Sequence, residues 1–299
     1  MAVLVIVMVL VCIGIPMVYA WRVWRLDEPS LSAWLLRTGE ALAIVAFILL
    51  VGRWDMAGLY SRFLLVGLVT LAVLWSLRRH AHRPWRIAGR SLLRTHWTGA
   101  VSVGLFAAAL VYTLSGMAPP GGERPLAFPL RDGRFVIGQG GGSVLLNRHA
   151  SHRAQRYAAD IVAVGPAGFR ATGLLPGDLD GYAVYGVRVV SPCDGTVTEA
   201  RDGLPDLVPP ERDRDNPAGN HVALDCGGVT VELAHLRRGS VAVAPGARVD
   251  RGDPIGRVGN SGNTTEPHLH IHAVDPRTGK GVPMSFAGRY PVRNAVFSR

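Results

Sequence analysis

Charged side chains are scarce in this chain of 299 residues. They make up 18 % of it, against about 25 % in an ordinary soluble protein, so part of the chain is built to avoid water. Cysteine is scarce too, and three cysteines exclude a disulfide scaffold. Lysine is nearly missing: Lys280 stands alone among 32 cationic residues, the rest being arginine. An apolar content of 48 % excludes intrinsic disorder. Acids are missing where cations gather. Residues 1–117 hold eleven arginines and four acids, whereas residues 118–299 hold 21 cations and 18 acids. The basic excess falls in the apolar half, where it reads as membrane topology and contact with lipid, not as a nucleic-acid surface.

Four stretches in that half lack charge: residues 1–20, 41–52, 63–77 and 97–117. Crossing the hydrocarbon takes about 20 residues. The first and last stretches pass alone; the middle two pass when Arg37 and Arg62 reach toward an interface. About four spans are expected over residues 1–117. Residues 78–96 carry Arg78, Arg79, Arg83, Arg86, Arg90 and Arg94 and no acid, and Arg22, Arg25 and Arg37 fall on the same side. Only Arg53 and Arg62 fall on the other. Positive residues stay cytoplasmic, so the N-terminus and everything after Met117 are expected outside the cytoplasmic membrane. Residues 1–20 lack a basic leader, which favours a first span over a cleaved signal peptide. His80, His82 and His96 read as part of a solvated basic loop facing headgroups. Cys12 reads as a small apolar residue within a span.

Residues 118–125, APPGGERP, read as a linker. Residues 126–299 change texture to short β-type runs cut by glycine turns, such as RFVIG, GTVTEA, HVALDC and VTVELAHL. That pattern predicts an all-β domain, an antiparallel sandwich or partly open barrel. Residues 204–217 form a long polar insertion, expected as a loop at one rim. Cys193 and Cys226 both lie in this domain, where an oxidising compartment would permit a bridge.

The chemistry concentrates in residues 259–275, GNSGNTTEPHLHIHAVD. His268, His270 and His272 alternate with Leu269 and Ile271, so in a strand the imidazoles share one face and the aliphatic pair takes the other. Leu and Ile suit a core, and a His-x-His at a strand start suits a metal. Catalytic zinc takes three protein ligands and leaves a position open, so a further ligand must come from elsewhere. His149, His152, Asp160, His221 and His235 are the candidates. Asp160 opens the apolar run Ile161-Val162, and His235 ends the alternating run VELAHL.

Over roughly residues 125–285 the sequence resembles the lysostaphin/LytM-type zinc metallopeptidases, which hydrolyse peptide bonds in bacterial peptidoglycan. The motifs that carry the resemblance come in the family's order. They are His149…Asp160, then Pro192-x-Asp194-Gly195-x-Val197, then Gly219-Asn220-His221-Val222, then Ala234-His235-Leu236, then the V-x-x-G-x-x-I-G-x-x-G-N-S-G run over Val249 to Gly262, then Pro267-His268-Leu269-His270. One departure stands out. The common form separates its first His and Asp by three residues; here ten intervene after His149 and seven after His152. The text from Asn147 to Asp160 resembles a subgroup with an Asn-x-His element and a Q-x-Y-A-x-D strand, which aligns His149 as the ligand. The resemblance implies a LytM-type β fold of the duplicated-hybrid-motif kind, one Zn2+ held by His149, Asp160 and His270, and His235 and His268 as catalytic histidines. It implies peptidoglycan peptides as partner and substrate, and names no protein partner. His272 reads as solvent-facing or packing, and His221 as a groove-rim residue. A non-cleaving wall-binding or regulatory module of the same fold is the alternative; retention of all five site residues weighs against it. A lipoyl- or biotinyl-type carrier needs a modifiable lysine in a hairpin turn, and Lys280 follows the histidine strand instead.

Overall fold

The computed structural model of the protein describes residues 2–88 and 91–298. Arg90, one of the arginines used to orient the chain, lies outside them. The chain separates into two compact units, Val3–Leu114 and Ser115–Arg299 apart from the two terminal N-residues.

The first unit is helical: α1 (Ala2–Trp24), α2 (Leu31–Val51), the short α3 (Trp54–Ala57), α4 (Ser61–His80), the short α5 (Leu92–Thr95) and α6 (Trp97–Met117). Four of these, α1, α2, α4 and α6, are long and apolar enough to cross a membrane. Ser30 starts α2 by accepting from the Ala33 N–H at 3.3 Å, the N-cap role its hydroxyl suits. Small and branched side chains let the helices approach: Ala20 and Val23 of α1, Ala41 and Val45 of α2, and Val69 and Ala72 of α4 form one buried cluster. Trp34 of α2 donates its indole N–H to Ser76 of α4 at 2.9 Å. His80 departs from the solvated-loop expectation. It closes α4 fully buried, donates from Nδ1 to the Ser76 carbonyl at 2.6 Å and accepts the Glu28 N–H at 2.9 Å through Nε2. Both its nitrogens are satisfied by main chain, which is what makes its burial tolerable. Cys12 is buried, as expected of a residue within a span.

The second unit is β-rich. Its strands are β1 (Arg124–Leu126), β2 (Arg134–Gln139), β3 (Ala159–Ala163), β4 (Arg188–Val190), β5 (Gly195–Arg201), β6 (Asn220–Asp225), β7 (Thr230–Leu236), β8 (Arg248–Val249), β9 (Pro254–Arg257), β10 (Leu269–Asp275), β11 (Lys280–Val282), β12 (Met284–Phe286) and β13 (Val296–Ser298). One antiparallel sheet runs β13-β2-β3-β10-β7-β6-β5-β8, with β11 added to β10; β4–β9 and the parallel pair β1–β12 form two small sheets. Among the described residues no sheet closes on itself, so the architecture is open. Arg124 and Pro125, at the end of the expected linker, already belong to β1.

The alternation in the sequence explains the layering. Phe135, Ile137, Ile161, Leu224, Leu233, Leu269 and Ile271 point to one buried core, each almost free of solvent. Burying a side chain of this size contributes about 1.5–3 kcal/mol. Cys193 and Cys226 are joined in a disulfide across 33 positions, with Cα atoms 5.9 Å apart. By loop-closure entropy a bridge of that span contributes about 4 kcal/mol.

Candidate metal centre

Strand register assembles the centre. β3 and β10 pair antiparallel with Asp160 directly opposite His270, and β7 pairs on the other side of β10 with Ala234 opposite His270. His235 is the next residue along β7. Leu269 and Ile271 face the core, so His268, His270 and His272 face the opposite side together. Five side chains named from the sequence thus meet at one place: His149, Asp160, His235, His268 and His270.

His149 comes from a 3-10 turn at Arg148–Ser151. Asn147 holds that turn. Its side chain accepts the His149 N–H at 3.1 Å and donates to the carbonyls of Gly141 and Ala158, each at 3.0 Å. Asn147 is fully buried, so the amide works as an internal brace that ties the turn to the chain entering β3.

His149 Nε2 lies 3.1 Å from both oxygens of Asp160, and His270 Nδ1 lies 2.8 Å from Asp160 Oδ1. One ligand atom from each of the three falls within 4.8 Å of the others, a grouping able to hold a metal ion. His152 is exposed, accepts the Gln155 N–H through Nδ1 and stands outside that grouping. His221 is buried between Glu199, at 3.1 Å from Nε2, and the Gly219 carbonyl. His272 is buried rather than solvent-facing; its Nδ1 lies 3.2 Å from His270 Nε2.

Two histidines flank the three. His235 Nδ1 donates to the Ser261 carbonyl at 2.9 Å, and His268 Nδ1 donates to the Glu266 carbonyl at 2.8 Å. A carbonyl only accepts, so each neutral ring carries its proton on Nδ1 and presents a bare Nε2. His268 Nε2 is buried without a hydrogen-bond partner and lies 3.6 Å from Asp160 Oδ1. His235 has φ +64°, unusual for a non-glycine residue and found where surrounding structure over-determines it. Its own N–H and C=O are both engaged, with Ala218 and Gly259.

The electrostatics follow from crowding. Burial pushes Asp160 up, but the opposing charges of His268 and His149 and hydrogen bonds from His149 and His270 outweigh it and hold the carboxyl well below its usual range. Burial drives His235 well below an ordinary imidazole, and the neighbouring His268 and His270 add to this. Burial also lowers His268 and His270 and brings His272 down to about 4. Burial thus favours the neutral form of His235, His268, His270 and His272 around one carboxylate.

Several holding contacts carry no local sequence signal. Asp206, in the long insertion, accepts the Asn260 and Arg238 N–H groups, and Leu207 N–H and Asp213 N–H reach the Asn260 and Gly262 carbonyls. The insertion thereby braces the turn that precedes the histidine strand. Arg148 Nη2 lies 3.7 Å from Asp160 Oδ2 with its side chain largely exposed. Arg170 and Glu266 form a buried ion pair beside His268.

An open antiparallel β unit presenting two imidazoles and a carboxylate beside two further histidines has the donor set of a metallohydrolase. Residues 179–283, about a third of the chain, match Peptidase family M23. His235, His268 and His270 lie inside the matched stretch; His149 and Asp160 precede it. Among solved structures, a zinc-containing peptidase from Vibrio cholerae is similar at 21 % identity over 54 % of this chain, with TM-score 0.33. The chain spans 39 % of that protein's length. The deep-sea M23 metalloprotease pseudoalterin is similar at 14 % identity, covering 59 % of this chain and 99 % of its own, with TM-score 0.34. The lysostaphin catalytic domain from Staphylococcus simulans is similar at 21 % identity, over 42 % of this chain and 84 % of its own, with TM-score 0.22. All three TM-scores fall under 0.5, so the likeness that counts is the sequence match over residues 179–283.

Proposed function

We propose that the protein is a membrane-anchored zinc metalloendopeptidase that hydrolyses peptide bonds in bacterial cell-wall peptidoglycan. The observation that carries this reading is the convergence of one ligand atom each from His149, Asp160 and His270 within 4.8 Å, beside a buried His268 Nε2 that has no hydrogen-bond partner. Two neutral imidazoles and one carboxylate fit zinc, which favours nitrogen and oxygen donors and, at catalytic sites, three protein ligands. His149, Asp160 and His270 would hold it. When bound, zinc supplies Lewis acidity, polarising a peptide carbonyl and lowering the pKa of water to about 7.

The chain's own groups would do the rest. His268 Nε2 is bare and lies 3.6 Å from Asp160 at the edge of the ligand set, so His268 is placed to accept a proton. His235, also with a bare Nε2, stands against His268 with ring centroids 4.8 Å apart. Once protonated, either ring becomes a donor to negative charge developing on the scissile carbonyl oxygen.

In this reading residues 1–117 anchor the protein in the cytoplasmic membrane, 118–125 link, and 126–299 work outside. The arginine distribution supports that orientation. The test is solubilisation of purified cell-wall sacculi by the full chain in detergent. Release that stops on chelation and returns with zinc is expected. No release from zinc-loaded protein would overturn hydrolysis and leave a wall-binding or regulatory module.

A further inference from the structure

His268 is held by a device the motif around it does not contain. Between β3 and β4 the chain makes a long excursion, residues 164–187, and Arg170 on it is 3 % exposed. Its Nε donates to Glu266 Oε2 at 2.7 Å, Nη2 lies 2.6 Å from the same oxygen, and Nη2 also donates to the Leu174 carbonyl at 3.0 Å. Glu266 is itself 8 % exposed. The guanidinium sits 5.8 Å from the centre of the Tyr182 ring, in the same excursion. Two opposite charges are thus taken out of water 96 positions apart in sequence. A lone buried charge is strongly destabilising, so neither can move without the other.

Glu266 lies two residues before His268, and its main-chain carbonyl is the acceptor for His268 Nδ1–H at 2.8 Å. The same carbonyl lies 2.8 Å from the Thr264 hydroxyl, which is also 3.1 Å from His268 Nδ1 and 3.1 Å from Asn260 Oδ1; the carbonyl is the shorter contact of Nδ1 and can only accept. The side chain of Glu266 is therefore clamped from one side while its carbonyl orients the imidazole on the other. We propose that Arg170 is a positioning residue: through its buried ion pair with Glu266 it fixes the carbonyl that selects the Nδ1–H tautomer of His268 and aims the bare Nε2 at Asp160. The excursion 164–187 thereby becomes part of the active arrangement without touching the reacting atoms. This rests on the proposed peptidase reading for its rate consequence, but not for its structural consequence.

The experiment has two readouts on the full chain in detergent. Imidazole 15N NMR of the metal-free protein reads the tautomer of His268 directly. Wild type is expected to show a protonated Nδ1 and a bare Nε2; Arg170→Lys, which keeps the charge but loses the planar fork, is expected to show a mixture. The second readout is kcat and KM on peptidoglycan fragments for Arg170→Lys and for the double variant Arg170→Met/Glu266→Met, which removes both charges together and so leaves none stranded. Both are expected to hold zinc as wild type does and to keep KM while kcat falls about 10- to 100-fold, the cost typical of removing an outer-shell partner. An unchanged tautomer in Arg170→Lys overturns the proposal, as does wild-type kcat in a folded double variant. If wild type itself does not cleave, the peptidase reading fails, and the NMR result still decides the positioning role.

Discussion

Replacing Asp160 by Asn tests the centre with the smallest change of shape. The amide fills the carboxylate's volume but removes the charge that two imidazoles share, at 3.1 Å from His149 Nε2 and 2.8 Å from His270 Nδ1. Hydrogen bonds to a charged group are worth about 1.5–3 kcal/mol each, and relief from burying a charge offsets part of the loss. The metal-free variant should therefore be less stable than metal-free wild type by about 1–3 kcal/mol. The larger effect is on zinc. At a free concentration 100-fold above its dissociation constant a ligand of the native state adds about 2.7 kcal/mol, which is about 100-fold in the opening equilibrium. The readout must come from the β unit, Ser115–Arg299. All seven tryptophans lie at or before Trp97, so tryptophan fluorescence would follow the helices instead. Amide hydrogen exchange in β3 and β10 meets the need. Zinc should slow the most protected amides by about 100-fold in wild type and leave Asp160→Asn unchanged. The same slowing in the variant would refute Asp160 as a ligand.

Other expectations follow from the same geometry. His235→Ala and His268→Ala should retain about one zinc while losing about 10²–10³-fold in rate; loss of zinc from His268→Ala would make it a ligand. His149→Ala should lose metal and His152→Ala should keep it, measured as zinc per chain after gel filtration; the reverse would reassign the first ligand. Stability of the metal-free protein should fall as pH drops. His272 titrates near 4 when folded against about 6.5 unfolded, so the unfolded chain binds protons first on acidification. Stability is full above pH 6.5 and is lost toward pH 4, by about 3 kcal/mol; Asp160, held below its usual range, acts in the same direction at still lower pH. Denaturant midpoints at pH 7, 5 and 4 read this, and a flat profile would contradict the neutral burial of these rings. For orientation, Pro84→Cys should be shielded from an external thiol reagent and Ala118→Cys should react; an externally reactive position 84 would invert the topology.

Much of the site was legible because strand periodicity is a two-residue rule. Leu269 and Ile271 announced the core side of β10, and that alone put His268, His270 and His272 on one face. Asp160 was legible as the residue opening an apolar run, and β3–β10 register then placed it against His270. Long-range partners were not legible. The Arg170–Glu266 pair spans 96 positions, and nothing local in either segment marks it. The burial of His80 was missed for a related reason: its partners are the Glu28 N–H and the Ser76 carbonyl, main-chain groups that composition does not reveal. The sequence leaves His272 open between solvent-facing and packing, and the structure selects packing, because the position of β10 inside the sheet, between β3 and β7, is a property of topology and not of the strand's own sequence. The disulfide stood as a compatible pair of cysteines until the fold brought their Cα atoms to 5.9 Å.

The most direct test of the central claim is mass spectrometry of the fragments released when the purified full-length protein is incubated with peptidoglycan. Zinc-loaded protein should produce muropeptides whose masses report hydrolysis of a peptide bond, one water added per cut, and chelated protein or His270→Ala should produce none. Intact muropeptide masses with fully zinc-loaded wild type, or the same cuts from His270→Ala, would contradict it.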